Sequence, residues 1–325
     1  MTRLGYQIPN FTYPDTPPSG LFGAIARQAR EAESAGFDTV LVMDHFLQIP
    51  PVGPIADEMV ECYTLLAALA RETSTVRLSA LVTGNTYRNP AVLAKTVTAL
   101  DIVSEGRAQL GIGAGWFEAE HTALGVEFGT FTDRFEKLEE ALQIVLPLLR
   151  GETVTFTGAR YRAEGAFNSP PPVGRIPVMI GGSGERKTLR MVARYADESN
   201  LISPRHELPR KLDVLAEHCA AEGRDRAEIT VNVHRGVVVA PTHEEAVRDV
   251  RDHLARQGRE VGGLSDDEVV ALRAGTIVGD PDAVGEALSA DLAQGVDGFT
   301  LNLTANGHVP GRISLLGEVA AKVLA

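Results

Sequence analysis

The sequence predicts an α/β fold, a (β/α)8 TIM barrel with insertions after barrel strands, as a single domain over 1–325. Three observations predict it. A phrase of helix, glycine, apolar residue, aspartate and apolar strand recurs: Ala35-Gly36-Phe37-Asp38 leads into Thr39–Met43, and Gln294-Gly295-Val296-Asp297 leads into Phe299–Leu303. The stretches between the apolar runs carry apolar residues at helical period. The apolar runs number eight over a chain of 325 residues, a length and count that suit eight βα units. The runner-up is a doubly wound open sheet, but no G-x-G-x-x-G follows the first strand with an acidic residue about 20 positions on.

The predicted strands are Leu4–Ile8, Thr39–Met43, Val76–Val82, Ala108–Ile112, Val178–Ile180, Ser199–Ile202, Ile229–Val239 and Gly298–Leu303. Each is short and aliphatic, as strands buried on both faces are. Between them Leu21, Ile25, Ala29 and Ala32 fall on one helical face, as do Leu93, Val97 and Leu100, and then Leu138, Leu142, Val145 and Leu149. Asp280-Pro281 reads as an N-cap with proline at the first helical position. Gly36, Gly106 and Gly295 sit where a left-handed residue ends a helix. Two stretches interrupt the alternation. Residues 151–176 read as a hairpin followed by a Pro-rich extended segment, and 241–278 as extra charged helical sequence. Both are expected after barrel strands, on the face that carries active sites in this fold.

Composition excludes several partners. Lys and Arg number 31 against 43 Asp and Glu, a formal charge of −12, with no basic cluster for a nucleic-acid backbone. No apolar run approaches the roughly 18 residues of a membrane span, and the N-terminus shows no charged-then-apolar leader. Cys62 and Cys219 read as two reduced thiols of a cytoplasmic protein, and no Cys/His grouping has zinc spacing. Glycine, at 32 residues, is in excess and needs a backbone reason.

Part of that reason is chemical. Gly181-Gly182-Ser183-Gly184 follows the strand Val178–Ile180 and precedes a helix expected from about Glu185. Glycines at a helix N-terminus leave N–H groups free for an anion, and the Ser183 hydroxyl adds a donor, so the loop reads as a phosphate site. Met43-Asp44-His45-Phe46 ends the second strand, which points an imidazole into the barrel mouth. On the residues alone His45 reads equally as a proton handler or a structural hydrogen-bonder, with Asp44 orienting it or capping a loop. Trp116, the only tryptophan, follows Gly113-Ala-Gly115 and suits either packing under a loop or walling a flat ligand.

Together these motifs resemble the luciferase-like monooxygenase superfamily, and more narrowly its coenzyme F420-dependent oxidoreductases. The residues that carry the resemblance are Leu4-Gly-Tyr-Gln-Ile-Pro9, Val42-Met-Asp-His-Phe46, Tyr87-Arg-Asn-Pro90, Gly111-Ile-Gly-Ala-Gly-Trp116, Arg134-Phe-Glu-Lys-Leu-Glu139 and Gly181-Gly-Ser-Gly-Glu-Arg-Lys-Thr188. They run in the family's order from residue 4 to about 200. The resemblance implies a TIM barrel, usually a homodimer. It implies coenzyme F420 in the mouth with its phosphate on Gly181–Gly184, the Asp44–His45 pair beside the ring and Trp116 as a pocket wall. It also implies a non-proline cis peptide at the end of the third strand. Counted back from Asn89-Pro90, that bond falls at Ala80-Leu81, with Thr83 and Asn85 lining the same pocket. Many relatives have a polar residue where this chain has Phe117, so a polar contact to the cofactor or substrate is expected to be missing or moved to Glu118 or Glu120.

The implied activity is hydride transfer between coenzyme F420 and a small neutral or hydrophobic organic substrate, with His45 handling the proton and no metal involved. The alternatives are an FMN-dependent two-component monooxygenase on the same barrel and a cofactor-binding barrel without catalysis. The mouth is expected to be shaped by 11–19, 46–58, 159–173 and 241–278.

Overall fold

The computed structural model describes residues 3–325; Met1 and Thr2, the head of the predicted N-terminal segment, lie outside the described residues. Eight parallel strands close into a barrel in chain order: Leu4–Ile8, Thr39–Val42, Arg77–Ala80, Ala108–Gly113, Val178–Gly181, Glu198–Leu201, Thr230–Val239 and Gly298–Asn302. Pairing of Leu4 with Phe299 joins first strand to last and completes the closure. Each strand lies within a few residues of its predicted position, because the run of aliphatic side chains and the glycine before it are both local signals.

Along the strands residues alternate by two. Tyr6 and Ile8, Val40 and Val42, Val231 and Val233 join the core under the helices, while Gln7, His234 and Asn302 turn into the barrel and line its cavity. The interior below the mouth is therefore polar, and part of it is paired internally. His234 Nε2 lies 2.8 Å from Gln7 Oε1, and Asn302 Nδ2 donates to the same oxygen at 3.0 Å. Burial drives the His234 pKa down to about 4, so the ring is neutral at pH 7.

Helices follow the strands as predicted. Asn89 caps Pro90–Val103 by accepting from Ala91 N–H, and Thr130 with Asp133 forms a capping box on Phe131–Leu149. Asp280 accepts from Ala283 N–H ahead of Pro281–Leu292. Gly36 and Gly295 take φ of +86° and +96°, the left-handed turn that releases the chain into the next strand. Phe131–Leu149 buries Leu138, Leu142, Val145 and Leu149, each contributing about 1.5–3 kcal/mol. Leu142→Ala alone removes about 2–5 kcal/mol.

The two irregular stretches divide. Residues 241–278 do follow a barrel strand, and add helices His243–Arg256 and Asp266–Ala271 and a strand, Thr276–Gly279, that extends the seventh strand's edge. Residues 151–176 do contain the hairpin, Val154–Thr157 against Arg162–Ala166. They follow a helix rather than a strand, which corrects the expectation that they border the mouth. The hairpin lies along the outside of Phe131–Leu149, where Glu140 accepts from the N–H groups of Ala159, Arg160 and Tyr161. Cys62 and Cys219 are both free and buried. Among the described residues no helix is long and apolar enough to cross a membrane.

Candidate active site

The second strand delivers Asp44 and His45 to the mouth in different settings. Asp44 is 2% exposed and gripped by Arg88, whose guanidinium reaches its two oxygens at 2.6 and 2.9 Å, while Gly84 N–H donates at 3.1 Å. Burial is the strongest influence on this carboxyl and raises its pKa, although Arg88 pulls it down. Asp44 is thus held by Arg88 and accepts from the loop at Gly84; of the two readings, orienting His45 or capping a loop, the structure shows the second. Both residues lie just past the strand end at Val42, where the chain leaves the regular ladder, and both face the cavity while their side chains take different partners.

The partner of His45 is Glu120. His45 Nδ1 lies 3.0 Å from Glu120 Oε2, and Glu120 is fully buried. The carboxylate also accepts from the N–H groups of Phe46 and Leu47 and from the Tyr87 hydroxyl. Burial alone would raise its pKa, but these donors outweigh it and hold the carboxyl below the ordinary glutamate range. An ionised acceptor at Nδ1 fixes the neutral imidazole with its proton there and leaves the Nε2 lone pair toward the cavity. Glu120 spends its carboxylate on these internal donors and does not line the cavity. Phe117 itself packs against the His45 ring at 5.9 Å and stacks on Trp116 at 5.2 Å. Trp116 stands edge-on to His45 at 5.8 Å and is 56% exposed at the rim.

The third strand ends with a non-proline cis peptide between Leu81 and Val82, one residue beyond the predicted Ala80-Leu81. The strand is still regular at that point: Leu81 N–H donates to Val42 O at 2.8 Å, so the ladder breaks one peptide later than counting from Asn89 suggested. Val82 then wedges between the ends of the fourth and fifth strands. A Cβ on Gly113 would come within 2.8 Å of its side chain, and one on Gly181 within 2.7 Å. Glycine is required there by Val82, and at Gly84 by the Tyr87 ring, 2.6 Å from where a Cβ would lie.

The Gly181–Gly184 loop also differs in detail. Ser183 Oγ donates to Ile202 O at 2.8 Å and accepts from Ile202 N–H at 2.9 Å, so its hydroxyl staples the loop to the sixth strand's end. The anion donor role predicted for that hydroxyl is corrected. The regular helix starts at Thr188, three residues later than expected, behind a turn. The backbone N–H groups of Ser183, Gly184 and Glu185 donate to no backbone carbonyl, and Arg186 makes no ion pair among the described residues. These groups can hold an anion.

The site opens on one cavity of about 1240 Å³. Asp44, His45, Leu81, Thr83, Trp116 and Gly181, Gly182, Ser183 and Gly184 line it, as the sequence suggested. Ala80 and Asn85 do not. Ala80 packs outward into the helix-facing core. Asn85 is pinned behind the wall by its N–H to Gly113 O, 3.0 Å. Of the four segments expected around the mouth, 46–58 and 241–278 contribute, through Ile49, Pro51, Val52, Arg273 and Thr276, and 11–19 and 159–173 do not. Sequence reasoning singled out neither Arg88 as a functional partner nor Arg273. Arg273 carries a buried Nε with no partner.

Three comparisons bear on this site. The sequence profile described as luciferase-like monooxygenase matches residues 2–298. An F420-dependent glucose-6-phosphate dehydrogenase of Microbacterium testaceum is 30% identical over 224 residues, 68% of this chain and 65% of that protein. The match thus spans just under two thirds of the relative's length. A protein of the same name from Beutenbergia cavernae is 31% identical over 72% of this chain and 70% of its own length. Among solved structures, a monooxygenase from Streptomyces bottropensis superposes with a TM-score of 0.81 at 20% identity, covering 99% of this chain and all of that one. That last likeness speaks to fold alone.

Proposed function

The chain belongs to the luciferase-like monooxygenase family, and from that membership we propose that it is a coenzyme F420-dependent oxidoreductase. It moves a hydride between that deazaflavin and a small organic substrate. The name shared by the two dehydrogenase relatives supports the choice of coenzyme. The observation that carries the reading is the His45–Glu120 pair, which presents a lone pair at Nε2 inside the same cavity as the Gly181–Gly184 loop.

The residues present fit such a coenzyme. Ser183, Gly184 and Glu185 offer unclaimed N–H groups for a phosphate, and Arg186 lies beside them on the cavity wall. Leu81, Val82 and Trp116 offer apolar surface for a flat ring. When bound, the deazaflavin supplies the carbon that accepts or gives the hydride. The protein's part is the rest: the glycine loop anchors the phosphate, the apolar wall excludes water, and His45 Nε2 takes or returns the substrate proton. Glu120 stabilises the imidazolium that results.

The lining also speaks to the substrate. Its apolar portion suits a neutral or hydrophobic molecule. Arg273 favours one anionic group in addition: it pairs with no carboxylate among the described residues, and its NH1 reaches only Pro51 O at 3.5 Å. Glucose 6-phosphate, named for the relatives, carries such an anionic group, on a sugar that is polar rather than hydrophobic. The test of the coenzyme is an equilibrium titration with F420 and with FMN, followed by visible absorbance. The reading requires saturable F420 binding that Gly184→Pro weakens. Tight FMN binding with oxygen-dependent turnover would replace it with the monooxygenase alternative.

A further inference from the structure

We infer that Tyr87 is a positioning residue for proton transfer, setting the basicity of His45 through Glu120. The inference rests on the reading of His45 as the proton-handling group. Tyr87 lines the same cavity, but its hydroxyl reaches His45 only through Glu120. Its hydroxyl donates to Glu120 Oε2, the oxygen that also faces His45 Nδ1. Two donors on one carboxylate oxygen compete for its charge. What Tyr87 takes up is withheld from the imidazolium, so the hydroxyl lowers the proton affinity of His45.

The ring is placed for that task from three sides. It stacks on His121 with centroids 4.6 Å apart and meets Phe46 edge-on at 5.2 Å. Its third side occupies the space that Gly84 leaves open. His121 is itself fixed, with Nδ1 2.8 Å from Phe117 O and Nε2 2.7 Å from Thr86 Oγ1. A neutral ring donating at Nδ1 and accepting from Thr86 satisfies both contacts. The hydroxyl lies 3.4 Å from His121 Nδ1 as well, and its donation goes to Glu120. The remaining ionisable groups around the pair are Asp44 on the same segment as His45, Arg88 beside Tyr87, and Glu61, which Arg88 also binds at 2.8 Å. Arg88 is shared between Asp44 and Glu61, and Glu120 is the carboxylate in direct contact with His45.

The experiment is a titration of His45 by NMR in the coenzyme-free chain, comparing wild type with Tyr87→Phe. The His45 signals are assigned through a His45→Gln variant. Tyr87→Phe keeps the ring and its stacking and removes only the donor. The His45 midpoint should move up by about 0.5–1 pH unit. Tyr6→Phe, which removes another buried hydroxyl at Gln28, should leave it in place. With coenzyme and substrate, the pH limb assigned to His45 should move the same way, with kcat reduced and KM within about threefold. An unmoved His45 midpoint overturns the inference, as does a uniform loss of kcat with no shift of the pH profile. The NMR result stands without turnover. If the coenzyme does not bind, the functional reading fails while the role of Tyr87 is still decided.

Discussion

Replacing Glu120 by glutamine tests the logic of the site with one atom. In the wild type four donors converge on the carboxylate: two backbone N–H groups, His45 Nδ1 and the Tyr87 hydroxyl. Glutamine can keep its oxygen on the Phe46 and Leu47 N–H groups. Its amide NH2 then replaces Oε2 and faces two groups that were donating. Tyr87 can turn its hydrogen away and accept. His45 can accept only by surrendering the Nδ1 proton, which moves its hydrogen to Nε2 and removes the lone pair from the cavity.

Four charge-assisted bonds of about 1.5–3 kcal/mol each become neutral ones of about 0.5–1.5 kcal/mol. The expected cost is about 4–6 kcal/mol, a fall in Tm of about 6–9 °C for a chain of 325 residues. Turnover should fall by about 10²–10⁴, the range of a lost general base or acid. The stability loss depends on pH with a definite sign. The Glu120 carboxyl is held below its ordinary value in the folded chain. Its stabilisation is therefore complete above about pH 4.3, the unfolded value, and is lost as pH falls through the folded one. Wild type and Glu120→Gln should differ fully at pH 7 and converge in acid. Calorimetry between pH 3 and 8 and steady-state rates measure both effects. A variant with unchanged Tm and turnover within threefold of wild type at every pH refutes the assignment of Glu120.

Other positions give independent checks. Arg88→Met leaves the Asp44 carboxylate buried without its bidentate partner, and should cost about 3–5 kcal/mol in denaturant unfolding at pH 7. Gly181→Ala brings a methyl within 2.7 Å of Val82 Cγ1 and should cost about 1–3 kcal/mol. Val82→Ala in the same chain should recover most of that loss, a coupling above about 1 kcal/mol in a double-mutant cycle. Ser183→Ala should cost about 1 kcal/mol and weaken coenzyme binding less than tenfold, because the hydroxyl is spent on Ile202 rather than offered to the ligand.

The scaffold was legible because its signals are local. A glycine at a helix end, a short aliphatic run and Asp280-Pro281 each declare themselves within a few residues, and the barrel follows from their repetition. The glycine loop and His45 were legible for the same reason, since each sits just past a strand end. Partnerships were not. Glu120 lies 75 residues from His45 and Arg88 lies 44 from Asp44, and no spacing rule spans a crossover helix. Whether Asp44 orients its sequence neighbour or caps a loop stayed open for want of that information. The only pointer to Glu120 was Phe117, an apolar residue where a polar one was expected. Ala80 and Asn85 were misplaced by counting along a bulge whose break falls one peptide later than the count. The 151–176 hairpin was misplaced because its own residues do not say whether a strand or a helix precedes it. Ser183 was read as a donor because nothing nearby in sequence announces Ile202.

The central claim is hydride transfer on coenzyme F420 with His45 holding the proton. It is tested most directly by anaerobic turnover of the purified chain, following the visible absorbance of F420 in the presence of sugar phosphates and secondary alcohols, with wild type and His45→Gln in parallel. The account predicts a substrate-dependent absorbance change without oxygen in the wild type. In His45→Gln that change should be lost by at least about 10² while F420 still binds. Turnover that requires oxygen and FMN, or a His45→Gln variant that transfers hydride at the wild-type rate, contradicts it.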